Sequence, residues 1–294
     1  MDDAIELRWA AGGRLTWRRL TGRRLTWRSR LPRILALLVL ATGLAACATR
    51  PAPDAAVPPF ARQPYEPFDR AAAVAIALRE WRAFDQPVRD ADPATTPAGA
   101  AKPERETGLW QRIGEYWWLG LGGDDWERGW TGKHDEHGRV FPPDQDGDYA
   151  WSAAFISYVM RMAGAGSRFP YASAHAVYIN AARKASLGPI AGAGLWAERP
   201  DLYAPQPGDL ICEGRGGAKR IRFEDLPAKR FTSHCDIVVK VSPGEIAVIG
   251  GNVDDTVALS HVPTTPDGRL AGPDRVVLDK RNSWFVVLRV LYER

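Results

Sequence analysis

The chain has 294 residues, 39 basic and 35 acidic side chains, 45 % apolar content and 12 tryptophans. That is enough apolar side chain to build a core, which excludes global disorder, and enough length for one large domain or two small ones. Residues 1–46 hold nine of the basic and three of the acidic residues, so the remaining 30 basic and 32 acidic residues carry a net charge of −2. The basic balance belongs to the first segment and makes no case for a nucleic-acid partner.

In chain order, an arginine-rich stretch comes first, with RLTWR at Arg14–Arg18 and again at Arg24–Arg28, and ends at Arg33. Thirteen apolar or small residues follow, Ile34–Ala46, and then Cys47 in LAAC. Thirteen residues fall short of the ~20 that span a bilayer as a helix. Basic region, short hydrophobic region and small residues are the order of a secretory signal. With the cysteine, the segment resembles a bacterial lipoprotein signal and its lipobox. The resemblance implies that residues 1–46 are removed and that Cys47 is lipidated, anchoring the chain to a membrane. Ala48, where an Asp would signal retention, implies an outer-membrane lipoprotein facing the periplasm.

Residues 47–67 are rich in Pro and Ala and read as an extended tether. A single domain is expected over 68–294, with 68–106 a helix plus loop and 107–294 the core. Phe68–Phe84 has helical periodicity, Asp69 is placed to cap it, and its apolar face predicts packing on the domain. Residues 85–104 are loop-like by composition. A second helix is expected in ETGLWQRIGEYWWLGLG, a third over about Trp151–Ala163, and a fourth over Ala172–Ala185. The period then changes. PGDLICEG, HCDIVVKV, EIAVIGGN, TVALSHV and WFVVLRVLYE are short β-branched runs between turn residues. The turn Ser242–Glu245, SPGE, predicts a hairpin from the second and third. Helices followed by strands predict an α+β fold, the helices packed on an antiparallel sheet of five to six strands. Cys212 and Cys235 lie in two of these runs. If the runs pair, one disulfide is available in an oxidising periplasm; two unbridged buried thiols fit the sequence as well.

Three residues stand in an order suited to nucleophilic catalysis. Ser152 opens a helix directly after Trp151, His234 opens a strand, and Asn252 ends the next strand. The stretches WSAAF (Trp151–Phe155), PGDLI (Pro207–Ile211), SHCDIVVKV (Ser233–Val241) and VIGGNV (Val248–Val253) resemble the NlpC-type papain-like superfamily, in particular its CHAP amidases and peptidases. The resemblance implies a papain-like fold with Ser152 in the place of the usual catalytic Cys, His234 as base and Asn252 as the residue orienting the imidazole. Asp236, two residues after His234 and so on the same strand face, is a second polar partner.

A more specific resemblance covers about residues 68–294. REWRAF, RIGEYWW, WSAAFISYVMR, YASAHAVYI and HCDIVV…IGGNV are similar to a bacterial domain family of unknown function, catalogue number 2272. It implies no activity, but it adds His175 as a candidate lining residue, beside its reading as a helical core histidine.

The serine changes the chemistry. A thiol is ionised by a helix N-terminus and a nearby histidine. A hydroxyl needs a general base and an oxyanion hole. Ser152 therefore has three readings: nucleophile, ligand-binding hydroxyl, or helix cap, a role Asp148 fits equally. Cys235 follows His234 directly, so strand alternation turns it to the other face and argues against it as a substitute thiol.

No cofactor and no metal are expected. DQDGD (Asp144–Asp148) starts like a calcium loop, but its twelfth position is Phe155 where a Glu is required. His134 and His137 have a metal-like spacing without further ligands. Trp110, Trp117 and Trp118 suit sugar stacking, with core packing the stronger expectation. The function expected is a CHAP-like hydrolase on a cell-envelope lipoprotein, a peptidase or amidase whose partner is peptidoglycan or its peptides. The alternatives are a non-catalytic peptidoglycan-binding or scaffold lipoprotein, and acyl chemistry on another substrate such as a lipid.

Overall fold

Five of the six strands found are the five apolar runs, and they pair antiparallel throughout. A computed structural model describes residues 67–91, 102–142, 145, 148–188 and 190–293. The leader, Cys47 and the tether as far as Glu66 lie outside the described residues, as do four residues of the DQDGD region and its approach. The strands are β1 (Leu195–Glu198), β2 (Leu210–Gly214), β3 (Ser233–Ser242), β4 (Glu245–Val253), β5 (Thr256–Pro263) and β6 (Trp284–Val290). Their order in the sheet is β1-β6-β2-β3-β4-β5. The hairpin at SPGE is present, with Ser242 paired to Glu245. β1 has no counterpart among the expected runs, because four residues are too few to show a period.

Both faces of the sheet are covered. Cys212, Cys235, Ile237, Ile249 and Leu288 join the helices in the main core. Ile211, Val238, Val248, Trp284 and Val287 pack under Leu270 and Val277 on the other side. Burial on both faces is why these strands read as continuous apolar runs without polar alternation.

Among the described residues there are four α-helices: α1 (Arg70–Ala83), α2 (Leu109–Gly120), α3 (Ser152–Met162) and α4 (His175–Leu187). Asp69 caps α1, accepting from the N–H of Ala71 at 3.2 Å and Ala72 at 2.9 Å. α4 begins later than its apolar pattern suggests, because Ala174 is still extended (φ −130°, ψ 125°). None of these helices is long and apolar enough to cross a membrane.

α1 is fastened by a buried carboxylate. Glu80, fully buried, accepts from Arg112 Nη2 at 2.7 Å, Tyr116 Oη at 2.8 Å and Arg79 Nε at 2.9 Å. Arg79 also donates to Tyr158 Oη at 2.6 Å, so α1 is tied to both α2 and α3. The chain leaving α1 then covers the sheet edge. Leu259 N–H on β5 donates to Pro87 C=O at 3.0 Å, and Arg89 N–H donates back to Leu259 C=O at 2.8 Å. An edge strand occupied in this way is closed to pairing with another chain.

Candidate active site

The starts of α3 and α4 meet the start of β3. Trp151 stands at the N-cap of α3 with no side-chain capping bond, so Ser152 is the first helical residue and does not cap. Its Oγ lies 2.7 Å from His175 Nε2, the first residue of α4. The other ring nitrogen, Nδ1, is hydrogen bonded to the hydroxyl of Tyr178. Residues three apart share a helix face, which is what lets His175 and Tyr178 meet. The result is a hydrogen-bonded chain Ser152–His175–Tyr178, in which Ser152 is 7 % and His175 4 % exposed.

The electrostatics follow from that burial. Desolvation pushes the His175 imidazole well below the ordinary histidine value, and the nearby His234 and Arg215 push the same way. His175 is therefore neutral at pH 7. Burial, reinforced by Asp236, raises the Tyr178 phenol well above its ordinary value and keeps it protonated. The first bond inside α3 runs from Phe155 N–H to Trp151 C=O at 3.0 Å. The N–H groups of Ser152, Ala153 and Ala154 thus have no partner within the helix, as at any helix start.

A second pair stands beside the first. His234 Nε2 lies 2.7 Å from Asp236 Oδ1, both on the same face of β3. The His234 and His175 rings are 5.4 Å apart between centroids, edge to face. Cys235 points the other way and is bridged to Cys212, its direct cross-strand partner, with Cα atoms 4.1 Å apart. Glu213 is the register partner of His234 on β2; burial raises its carboxyl above the ordinary value, and Arg215 Nε holds it at 3.1 Å.

The two glycines of IGGN make the site fit. A β-carbon on Gly250 would lie 2.0 Å from Asp236 Oδ1 and 2.9 Å from His234 Nε2. One on Gly251 would lie 2.6 Å from Phe155 Cβ and 2.8 Å from the Trp151 ring. Gly250 leaves room for the His–Asp pair, and Gly251 lets the start of α3 lie against β4. Trp151 is locked from behind, its Nε1 donating to Glu104 Oε2 at 2.8 Å.

Four residues singled out from the sequence, Ser152, His175, His234 and Asp236, come together here. The pairing differs from the expected one: the hydrogen-bonded partner of Ser152 is His175, and the partner of His234 is Asp236. Asn252 sits in a bulge of β4 with φ +57°, which takes its side chain out of regular alternation. Tyr178 and Glu213 join them without standing out in the sequence; the i, i+3 spacing from His175 is the signal available for Tyr178. Of the three tryptophans, Trp117 is in the core and Trp118 is exposed, while Trp110 packs edge-on against His134 at 4.5 Å. Among the described residues, no group of three or more His, Cys, Asp and Glu side chains is arranged to hold a metal ion.

A six-stranded antiparallel α+β protein, with a buried serine–histidine pair where two helix starts converge on a strand, is the class these features define. Residues 104–290 match the family described as an uncharacterized protein conserved in bacteria (DUF2272), and the chain belongs to that family. No curated protein and no solved structure matches it. The match opens at Glu104, which holds Trp151, and spans every residue of the site; α1 precedes it.

Proposed function

We propose that the protein is a cell-envelope lipoprotein, anchored through Cys47 to the outer membrane and facing the periplasm, whose domain is a papain-like serine hydrolase acting on amide bonds of peptidoglycan peptides. The observation that carries the reading is the 2.7 Å contact between Ser152 Oγ at a helix start and His175 Nε2. The order of a nucleophile helix followed by antiparallel strands, and a histidine at the start of β3, support the papain-like relationship. The departure is that the base bonded to the nucleophile stands on α4.

In this reading Ser152 Oγ–H donates to His175 Nε2, while Nδ1–H is directed at the Tyr178 oxygen. Oγ attacks the amide carbonyl as its proton passes to Nε2. The oxyanion is received by N–H groups in the first turn of α3. Collapse breaks the C–N bond, and the His175 imidazolium protonates the departing amine. Water, deprotonated by His175, then attacks the acyl-serine; the acyl C–Oγ bond breaks as His175 returns that proton to Ser152 Oγ, releasing the acid. The His234–Asp236 pair stands behind His175 and fixes the field in which that proton moves.

The depth at which Ser152 and His175 are buried favours a second reading, a scaffold or peptidoglycan-binding lipoprotein in which the same chain of hydrogen bonds only holds the helix starts together. Full-length protein incubated with peptidoglycan, with the released muropeptides profiled, separates the two. The enzyme reading expects new products from wild type and a loss of about 10⁴-fold or more in Ser152→Ala. Wild type that binds peptidoglycan without cleaving it supports the scaffold. Cleavage by Ser152→Cys alone marks a thiol site whose nucleophile has been replaced.

A further inference from the structure

Within the connection from β2 to β3, residues 215–230 carry six cationic side chains, Arg215, Lys219, Arg220, Arg222, Lys229 and Arg230, against Glu224 and Asp225. Its charge of +4 stands on a chain whose residues 47–294 total −2, so everything else in that stretch sums to −6. All six cations are exposed. Arg215 is paired with Glu213, and the other five have no ion pair among the described residues. The acidic pair does not neutralise them. Glu224 is held by Arg275 at 3.3 Å, and Asp225 accepts the Arg222 backbone N–H at 2.8 Å.

The loop is built onto the helix that carries His175. Asn180 on α4 clamps Ala228, donating to its C=O at 2.9 Å and accepting its N–H at 3.0 Å. Arg183 donates to Leu226 C=O at 3.3 Å and stacks over the Phe223 ring at 4.5 Å. Arg215 N–H to Thr232 C=O, 3.0 Å, closes the base one residue beyond the strand ends. Beneath the loop is a cavity of about 420 Å³, walled by Arg199, Arg222, Phe223, Arg275, Trp284 and Phe285 among others. Arg199 is taken up by Asp201 at 2.6 Å and Arg275 by Glu224, which leaves Arg222 as the wall cation with no ion pair among the described residues. Trp284, in the cavity wall, is the register partner of Glu213, and Glu213 of His234, so two strand pairings lie between the wall and His234.

We propose that the 215–230 loop and the cavity beneath it form an anion-binding site, and that its ligand is a peptide bearing free carboxylates. That the peptide is also the substrate rests on the hydrolase reading; that it binds does not. Aromatic walls take the apolar part of such a peptide, and unpaired guanidinium and ammonium groups take its carboxylates.

The test is equilibrium binding of a fluorescent hexapeptide containing four Glu, and of its Gln counterpart, to the detergent-solubilised full chain. Wild type is expected to bind the Glu peptide more tightly than the Gln peptide, and more weakly as salt rises. The triple variant Lys219→Gln, Arg220→Gln, Arg222→Gln should lose about tenfold, three surface contacts of the usual size. Lys240→Gln, an exposed cation on β3, should change nothing. Equal binding of the two peptides, no binding of either, an unaffected triple variant, or an equal loss in Lys240→Gln each overturns the proposal. Peptide binding that persists while Ser152 proves inert sinks the hydrolase reading alone.

Discussion

A β-carbon placed on Gly250 would sit 2.0 Å from Asp236 Oδ1, well inside contact distance. Gly250 on β4 is therefore the space into which the His234–Asp236 pair fits. Gly250→Ala must displace that pair or the strand, since Val253 closes the third side at 2.9 Å. A loss of about 1–3 kcal/mol in urea unfolding is expected, the usual range for overpacking. Gly217→Ala, whose β-carbon meets nothing within 4 Å, is the matched control and should stay within about 0.5 kcal/mol of wild type. Equal effects from the two would show that the site tolerates the methyl.

The Cys212–Cys235 bridge closes a loop across 23 positions of sequence and ties together the two strands that bear Glu213 and His234. In the chain-entropy account a loop of this length is worth about 3 kcal/mol, by restricting the unfolded chain. Cys212→Ser with Cys235→Ser, or reduction, should lower stability by roughly that amount. Thiol titration of the denatured, unreduced protein should find neither Cys212 nor Cys235. Two free thiols there, or unchanged stability on reduction, would contradict the bridge.

The strands β2 to β6 were legible because each is an apolar run cut off by Pro, Gly or Asp; β1 was not, because Leu195–Glu198 is too short for any period. Ser152, His175, His234 and Asp236 were all visible as candidates, and the partnership of His234 with Asp236 was readable from their i, i+2 spacing on a strand. The bond between Ser152 and His175 was not readable. It depends on two helix starts 23 residues apart converging, and nothing in either helix's own pattern encodes their relative placement. Asn252 misled for a local reason: strand alternation no longer holds in the bulge between Gly250 and Val253.

Glu80 joins α1, which lies outside the family match, to helices inside it. Burial alone would raise its carboxyl, but hydrogen bonds from Arg112, Tyr116 and Arg79 outweigh that and hold it below the ordinary value of 4.5. A depressed carboxyl stabilises the fold above its unfolded value, and that contribution is lost as pH falls toward the folded one. Glu80→Ala should cost about 3 kcal/mol, the low end for breaking a buried pair, because Arg112 is 27 % exposed and can turn to water. Stability of the variant measured between about pH 5 and pH 3 should decline less steeply than that of wild type. Parallel pH curves would mean that Glu80 is not the ionised partner described.

His175 makes the sharpest pH prediction, because two outcomes depend on the same depressed value. An ordinary histidine near 6.5 would be largely protonated, and useless as a base, at about pH 5.5. Burial, His234 and Arg215 push His175 well below that ordinary value, so it takes up its proton only at lower pH. The groups facing it are Ser152 and Tyr178, which are neutral, and the His234–Asp236 pair with Glu213 and Arg215 behind it. If Ser152 is the nucleophile, its labelling by a fluorophosphonate should fall less between pH 7.5 and 5.5 than an ordinary histidine near 6.5 would make it fall, and His175→Gln should abolish it at both. Stability should move the other way. A histidine whose folded value is depressed binds protons more tightly when unfolded, so stability present above 6.5 is lost as pH drops below it, until the folded value is reached. His175→Gln, which removes the titrating ring, should flatten that decline. A labelling rate that halves near pH 6.5, together with no difference in the slope of stability, would mean that the ring is solvated and that the buried Ser152–His175–Tyr178 chain does not persist in solution.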